Sequence, residues 1–430
     1  MFHNSHRSTR STLSRSSSSS RGRSFGKSHF AQSKGGSSAS HRPFSGRSRG
    51  VCSSQSNSRR SIGKSTLDID SFINRTSNKP IVEQFCPEHQ FTDFGLDKAL
   101  EKIVIKKGYA DPTPIQDKII PHIMSGKDVV GLASTGTGKT AAFLLPLIHK
   151  IKNGHAEQVL ILTPTRELAL QINQEFKSFT PGMGIYSAVC VGGINIQPQI
   201  RELRQYCHVV IGTPGRIIDL IKRGVLKLDG IKTIVLDEAD AMLDMGFIND
   251  VRFVVSKMPK ARHTLFFSAT MSPAIKKLID EFLHQPTIVA IGTQNPPTNI
   301  DQDVVRLNGR SRFDVLHDLL QDPAFEKVLV FGRTKRGVEK LTKTLAASGI
   351  KAESIHGNKS HGGRQRSLRQ FKEGAVRVLI ATDVAARGLD ISNVSHVINY
   401  ELPESREDYI HRIGRTGRGV QLGKALTFIG

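Results

Sequence analysis

The loop at residues 133–140 combines glycines, hydroxyls and a lysine at the spacing of a phosphate-binding loop. It follows the apolar run Val129–Leu132 and precedes an apolar, helix-like segment. Glycines let backbone N–H groups converge on phosphate oxygens, and the start of a helix favours negative charge. Lys139 can reach the β- and γ-phosphates, and Thr140 can place its hydroxyl on Mg²⁺. The pattern predicts a nucleoside triphosphate, held by Ser134, Thr135, Gly136, Thr137, Gly138, Lys139 and Thr140.

Ala133 stands where this pattern usually has its first glycine, so a plain strand-to-helix turn remains the alternative. A second group of residues could supply the metal ligand and the catalytic carboxylate of such a site. Asp237, Glu238 and Asp240 directly follow the apolar run Ile234–Leu236. Asp237 is placed to hold Mg²⁺ and Glu238 to polarise an attacking water, whereas the alternative is a solvated helix start. A phosphate loop about 100 residues upstream favours the catalytic interpretation.

Upstream of the loop, residues 108–116 end in Gln116. Its amide offers the donor and acceptor that adenine N6 and N7 require, which would make the nucleotide ATP. Phe91 is expected to pack against the base. A Pro-Thr-Pro turn that caps a helix fits the same residues equally well.

Apolar, β-branched runs alternate with helix-like segments from about residue 66 onward. In residues 66–292 the strand candidates are Asp128–Leu132, Val159–Thr163, Tyr186–Val191, His208–Gly212, Thr233–Leu236 and Thr264–Phe267. Past a polar, Pro-rich hinge at 293–302, residues 303–430 contain Asp303–Leu307, Lys327–Phe331, Ala352–Ile355, Val376–Ala381, His396–Asn399 and Ala425–Ile429. Such alternation is typical of parallel sheets covered by helices on both faces. We expect an α/β protein with two tandem domains, the second truncated because Gly430 directly follows a strand candidate.

Residues 1–65 are rich in Ser, Arg and Gly and poor in apolar residues, which predicts a disordered basic arm. The chain carries a net charge of +23. An excess of this kind attracts polyanions, with nucleic acid the first candidate and an anionic membrane surface the second. The arm is interpreted as an RNA-gripping tail; the alternatives are a solvating extension and an organelle transit peptide.

The four cysteines show no metal-binding spacing and are too few for a disulfide framework. No apolar run reaches the roughly 18 residues that a membrane span needs. These features predict a protein with reduced thiols in a cytosol-like compartment, without membrane association.

A series of short motifs resembles those of the DEAD-box RNA helicases, in the family's order. They comprise residues 108–116, 133–140, 164–169, 192–193, 213–216, 237–240 and 268–270, and residues 381–390 with 411–418. The match covers about residues 91–430. The amino-acid sequences of residues 243–247 and 356–360 are most similar to those of the bacterial RhlE-type branch.

The resemblance implies two RecA-like domains that meet over one ATP. Arg415 and Arg418 would face the γ-phosphate from the second domain, and Asp390 would hold the ribose. Asp240, Ser268, Thr270 and His411 would pass the nucleotide state to the RNA, with the hydroxyls of Ser268 and Thr270 linked to Asp240. The implied catalytic set is Lys139, Asp237, Glu238, Arg415 and Arg418.

The resemblance also implies an RNA face that contacts backbone rather than bases. It comprises Thr165, Arg166, Gly193, Thr213, Gly215, Arg216, Arg333, Gly357, Arg364 and Thr382. The family often has Gln three residues before Arg364, whereas this chain has His361, which would make RNA affinity mildly pH-sensitive.

The expected function is that of a monomeric, ATP-dependent RNA helicase that closes on ATP and RNA and separates short duplexes. Two alternatives remain at this point. In one, the protein is an ATP-gated RNA clamp or assembly scaffold with incidental turnover. In the other, it is a DNA translocase that DNA stimulates as well as RNA.

Overall fold

Two parallel β-sheets, each flanked by helices, form the described part of the chain. The computed structural model describes residues 85–134, 136–154, 158–292, 299–389, 391, 393–417 and 422–430. All of these residues belong to one compact unit. The predicted arm lies outside the described residues, as do Thr135, Asp390, Arg418 and residues 293–298 of the hinge.

The first domain contains the first sheet. Its strands are β1 (Val129–Leu132), β2 (Gln158–Leu162), β3 (Ser187–Cys190), β4 (Val209–Gly212), β5 (Ile231–Leu236), β6 (His263–Ser268) and β7 (Thr287–Ala290). Its helices are α1 (Lys98–Lys106), α2 (Pro114–Met124), α3 (Lys139–Lys152), α4 (Arg166–Phe179), α5 (Ile196–Arg204), α6 (Pro214–Lys222), α7 (Ala239–Asp244), α8 (Ile248–Ser256) and α9 (Pro273–Phe282). The strand order is β3-β4-β2-β5-β6-β1-β7, and all neighbours are parallel.

The second domain contains the second sheet. Its strands are β8 (Ile300–Arg306), β9 (Val328–Phe331), β10 (Ala352–Ile355), β11 (Val378–Ala381), β12 (His396–Asn399) and β13 (Gly423–Ile429). Its helices are α10 (Arg312–Leu319), α11 (Lys335–Ala347), α12 (His361–Lys372), α13 (Asp383–Ala386) and α14 (Arg406–Ile413). The order is β10-β11-β9-β12-β13-β8, again all parallel. The prediction of two tandem parallel-sheet α/β domains is confirmed.

Each sheet has an apolar core on both of its faces, which explains why the strands read as continuous apolar runs. Val159 and Ile161 enter the core on one face, and Leu160 and Leu162 enter the core on the other. Successive side chains of a strand point to opposite faces, so a strand buried on both sides needs an apolar residue at every position. The second sheet divides in the same way into two cores.

Several helices that border the predicted site begin at a threonine or serine placed just after a strand. The Thr165 hydroxyl accepts a hydrogen bond from the Leu168 N–H at 3.3 Å at the start of α4. The Thr334 hydroxyl accepts from Gly337 at the start of α11, and the Ser360 hydroxyl from Gly363 at the start of α12. These caps satisfy backbone N–H groups that have no partner inside the helix. They fix where each loop of the site turns into a helix.

Two sequence expectations need correction. Strand β7 was not predicted; it lies at the sheet edge beside β1, and Ile288 is 55% exposed, so its pattern is weakly apolar. The hinge prediction of residues 293–302 is wrong at its end, because β8 already begins at Ile300, which pairs with Gly423 of β13.

None of the helices in the described ranges is both long and apolar enough to span a membrane.

Candidate functional site

The predicted phosphate loop joins β1 to α3 at the carboxyl edge of the first sheet. Gly138 has φ +95°, and a Cβ there would lie 2.5 Å from the Gln116 amide nitrogen, so only glycine fits. Lys139 begins α3 and is buried, and its Nζ donates to the Ala133 carbonyl at 2.7 Å. The amine thus lies across the loop's own backbone, with protons left to donate to a phosphate.

A cleft of about 250 Å³ lies over this loop and is lined by both domains. The first domain contributes Lys139, Thr140, Asp237 and Glu238, and the second domain contributes Gly388 and Arg415. The carboxyl ends of parallel strands are where open α/β sheets bind ligands. The structure therefore brings the predicted lysine, carboxylates and arginine to one cleft.

The carboxylates Asp237 and Glu238 follow β5 and are buried. Burial raises the pKa of Asp237, and Lys139 partly opposes this. Burial also raises the pKa of Glu238, and Arg415 is the largest opposing influence. Glu238 has φ +50°, an uncommon conformation for a residue with a side chain, which costs of order 1–3 kcal/mol. Strained backbone is typical of functional positions because the surrounding structure must hold it.

Arg415 reaches the cleft from the loop that follows α14. Its side chain is buried, with Nη1 donating to the Leu389 carbonyl at 2.7 Å and Nε to the His411 carbonyl at 3.3 Å. Two backbone carbonyls thus orient the guanidinium toward Glu238. A planar, permanently charged group held in this way is suited to stabilising phosphate charge.

Asp240 connects the carboxylate cluster to the β6 end and to the second domain. Its Oδ2 accepts from the N–H groups of Ala269 and Thr270 at 2.8 and 3.2 Å, and lies 3.7 Å from His411 Nε2. Burial by itself would raise the pKa of Asp240, but His411, Lys139 and the N–H groups of Ala269 and Ala241 together lower it. Burial lowers the pKa of His411. The four predicted coupling residues therefore lie together.

The structure corrects one detail of that prediction. The link from Asp240 to the 268–270 segment runs through backbone N–H groups, not through hydroxyls. The Ser268 hydroxyl instead donates to the Thr270 carbonyl at 2.9 Å. Because backbone donors make the contact, side-chain identity at these positions does not reveal it.

The side chains of Gln116 and Phe91 both make contacts within the protein. The Gln116 side-chain oxygen accepts from the Thr113 N–H at 2.9 Å, and its nitrogen donates to the Gly138 carbonyl at 3.1 Å. It thereby caps α2 and ties that helix to the phosphate loop. Phe91 is 2% exposed and packs edge-on against Phe94 and Tyr109. In this structure its ring forms part of the core, and the contact of either residue with adenine stays a prediction.

The predicted RNA residues of the first domain lie at the loops after β2, β3 and β4. Thr165 caps α4, Thr213 precedes α6, and the Arg166 guanidinium lies directly against Gly193, where a Cβ would clash at 1.9 Å. Gly215 has no heavy atom near its missing Cβ. Arg216 donates to the Gln199 side chain at 2.8 Å and to the Ile194 carbonyl at 3.0 Å.

Those of the second domain lie after β9, β10 and β11. The Arg333 N–H donates to the Glu401 carboxylate, and its guanidinium to the Leu402 carbonyl at 3.3 Å. Gly357 packs against the Lys335 side chain, and Thr382 is buried at the start of α13. These residues also sit at the carboxyl edge of their sheet.

Arg364 makes a contact that the sequence did not predict. Its Nη2 lies 2.9 Å from Glu167 Oε2 of the first domain, and both side chains are largely buried. Burial lowers the pKa of Arg364, and Glu167 opposes this. The Nε of Arg364, the second oxygen of Glu167 and the Nδ1 of His361 are buried with no hydrogen-bond partner among the described residues.

Arg387 makes a second contact between the domains that sequence reasoning missed. Its Nη2 donates to Asp244 Oδ2 of the first domain at 2.9 Å and to Asp408 Oδ1 of its own domain at 2.7 Å. Arg387 and Asp244 both lie in segments that carry the family resemblance. The available signal was their opposite charge, which does not identify a partner across domains.

Comparisons with known proteins match both domains. The DEAD/DEAH box helicase model matches residues 113–278, and the helicase conserved C-terminal domain model matches residues 311–420. The ATP-dependent RNA helicase CshA of Listeria monocytogenes is 48% identical over 342 residues, which cover 79% of this chain and 66% of the relative. The DEAD-box ATP-dependent RNA helicase CshA of Geobacillus kaustophilus is 46% identical over 341 residues, covering 79% of this chain and 73% of the relative.

A solved structure extends the match to a nucleotide- and RNA-bound protein. S. cerevisiae Dbp5 bound to RNA and ADP BeF3 is 31% identical with a TM-score of 0.71, covering 79% of this chain and 89% of that one. This chain spans about two thirds of the length of the CshA relatives. The matches over both domains show the family: the chain belongs to the DEAD/DEAH box helicases.

Proposed function

We propose that this protein is an RNA-stimulated ATPase that uses ATP to separate short RNA duplexes. The observation that carries the proposal is the shared cleft. Arg415 of the second domain lines the same cavity as Lys139, Asp237 and Glu238 of the first. The matched relatives are named as ATP-dependent RNA helicases, and the Dbp5 structure contains RNA with ADP BeF3, which supports both ligands.

The cleft residues fit a nucleoside triphosphate with Mg²⁺. The phosphate loop would hold the phosphates, and Asp237 with Thr140 would hold the metal. The raised pKa of the buried Asp237 carboxylate favours a compensating cation there. In the described part of the chain, no three or more metal-binding side chains form a cage of their own. This suits Mg²⁺, which binds through one or two carboxylates plus phosphates and water. When bound, it would neutralise charge on the phosphates.

The remaining groups divide the work of hydrolysis. Lys139 would draw charge from the β- and γ-phosphates. Glu238 would orient the attacking water and accept its proton, and the nearby Arg415 favours the ionised form that this requires. Arg415 would stabilise the transition state, an effect of about 10³–10⁵ in rate in related chemistry. Arg418 and Asp390 keep their implied roles at the γ-phosphate and ribose as predictions.

RNA would bind through its backbone across both domains, at the ten residues expected from the resemblance. Hydroxyls, glycines and arginines position a strand without reading its bases, so little sequence preference should follow. Asp240 and His411 would report the state of the cleft to that face. Because the coupling is reciprocal, RNA must raise ATP affinity by the factor by which ATP raises RNA affinity.

Four finer predictions belong with this proposal. The protein acts as a monomer, and its first domain spans residues 66–292. It works in a bacterial-type cytoplasm, which the bacterial sources of the CshA relatives support. The resemblance to the RhlE-type branch stays a prediction, because the relatives reported above carry the name CshA.

Steady-state phosphate release tests the proposal. The protein should hydrolyse ATP slowly alone and much faster with single-stranded RNA, and Arg415→Ala should lower the RNA-stimulated rate by about 10³ or more. Arg406→Ala is the matched control, since Arg406 is exposed at the start of α14 and outside the cleft. If RNA does not change the rate of phosphate release, the proposal of an RNA-stimulated ATPase is refuted and an ATP-gated clamp is favoured. Equal stimulation by DNA would indicate a DNA translocase.

A further inference from the structure

A basic groove of about 480 Å³ lies on the second domain, apart from the ATP cleft. We call it the α11 groove. It is bordered by Lys335, Arg336, Lys340 and Lys343 of α11 and by His356 after β10. None of these residues belongs to the predicted catalytic or RNA-binding sets. The groove therefore needs an explanation of its own.

The helix itself directs these basic residues outward. One face of α11 packs into the core against the sheet, through Val338, Leu341 and Leu345. Positions three and four residues apart share a helix face, which places Arg336, Lys340 and Lys343 together on the opposite side. All three are exposed, as is Lys335. The helix thus presents a continuous basic surface to solvent.

Among the described residues, Glu339 is the one acidic side chain that borders the α11 groove, and its charge is already engaged. Its Oε2 accepts from the Ser354 hydroxyl at 2.8 Å and lies 3.2 Å from His356 Nε2. Hydrogen bonds from His356 and Ser354 lower the pKa of Glu339. Lys343 Nζ lies 3.8 Å from its other oxygen, in an exposed contact that contributes little. The groove keeps a clear excess of positive charge.

Two further observations point to a ligand. The Nδ1 of His356 is buried and has no hydrogen-bond partner among the described residues, which leaves it for a ligand hydroxyl or a bridging water. Gly357, a predicted RNA contact, packs against Lys335, with the lysine Nζ 3.7 Å from where a Cβ would lie. The α11 groove therefore begins where the predicted RNA face ends.

We propose that the α11 groove binds the phosphate backbone of the RNA strand where that strand leaves the RNA face. The inference rests on the proposed function and extends it by a second, sequence-independent RNA site. From Lys335 to Lys343 the helix rises about 12 Å, enough for at least two successive phosphates. The site would lengthen the RNA that the protein holds without adding base preference.

Salt-dependent RNA binding with a non-hydrolysable ATP analogue tests this. The probes are a short oligouridylate that covers only the RNA face, and two longer ones extended at the 5′ or the 3′ end. The double substitution Lys340→Gln with Lys343→Gln should leave the affinity for the short probe unchanged. For one of the extended probes, the double substitution should reduce the slope of log K against log salt by about 1.4, which is about 0.7 for each lost phosphate contact. At 0.1 M salt this change of slope corresponds to a roughly 25-fold lower affinity.

The matched control is Lys351→Gln with Lys372→Gln, which removes the same charge. Lys351 precedes β10 and Lys372 ends α12; both are exposed and neither borders the α11 groove. Unchanged binding of both extended probes by the groove variant would overturn the proposal, as would an equal loss in the control. If the wild-type protein binds none of the probes, the proposed function itself fails. If the wild-type protein binds all of the probes and the groove substitutions do not change binding, the proposed function stands and only the proposed role of the α11 groove is refuted.

Discussion

The contact of Arg387 with Asp244 allows a quantitative test of how the two domains hold together. Asp244 is 44% exposed, so water screens this ion pair and its contribution should be about 1 kcal/mol, below the 3–5 kcal/mol lost when a buried pair is broken. Asp244→Asn keeps the side-chain shape and removes the charge. It should therefore weaken domain closure by a factor of about 5.

Asp408→Asn provides the contrast, because Asp408 holds the same guanidinium from within the second domain. Its side chain is less exposed, so the lost charged hydrogen bond should cost about 1.5–3 kcal/mol. That loss should appear as a lower melting temperature, since it acts inside one domain. Asp244→Asn should leave the melting temperature nearly unchanged.

The assay is ATP affinity measured with and without saturating RNA. Asp244→Asn should reduce the factor by which RNA tightens ATP binding about fivefold, and leave ATP affinity without RNA unaltered. Asp229→Asn, at an exposed position before β5, is the control for the loss of one negative charge. An unaltered coupling factor in Asp244→Asn would refute the reasoning, because the domains would then close without this pair.

The other predictions concern the cleft, the base, the arm and acid stability. Glu238→Gln should bind ATP and RNA yet stop turnover, and normal phosphate release would disprove its role with water. Gln116→Ala should lose the preference for ATP over GTP in competition binding; an unchanged preference would remove the adenine contact. Deleting residues 1–65 should flatten the salt dependence of RNA binding while ATP affinity without RNA stays the same, whereas an identical salt slope would make the arm a solubiliser. Burial lowers the pKa of His396 to about 4. The unfolded chain therefore takes up this proton first as pH falls below about 6.5, and stability should drop by up to about 3 kcal/mol between that pH and 4. His396→Gln should flatten this drop in thermal melts, and an unchanged pH profile would contradict the assignment.

The sequence was sufficient to predict the sheets because their strands are buried on both faces. Val129–Leu132 and Val328–Phe331 are continuous apolar runs, which parallel strands covered by helices require. Strand β7 (Thr287–Ala290) was not predicted, because an edge strand has exposed positions and therefore lacks a continuous apolar run. Most of the motif loops were also predictable, since those at residues 133–140, 164–169, 192–193, 213–216, 237–240, 268–270 and 381–390 each follow a strand and so fall at the same edge of its sheet.

Contacts made by backbone atoms or between the domains were not predictable in this way. The N–H groups that bind Asp240 are present in every residue, so no residue type marks them. Gln116 could be recognised as functional or as a helix cap from the same residues, and only the structure shows the cap. Pairing of Glu167 with Arg364 depends on how two separately folded sheets meet, about which local periodicity carries no information.

Two ion pairs between the domains share one arrangement of charge. Glu167 and Asp244 of the first domain form ion pairs with Arg364 and Arg387 of the second. Each pair places the acid on the first domain and the base on the second, so the facing surfaces attract one another. Removing these charges from water offsets much of that attraction, which leaves closure finely balanced. Arg364 is also a predicted RNA contact, so an RNA phosphate would compete with Glu167 for its guanidinium. An arginine that is shared in this way lets RNA binding shift the balance between closed and open domains.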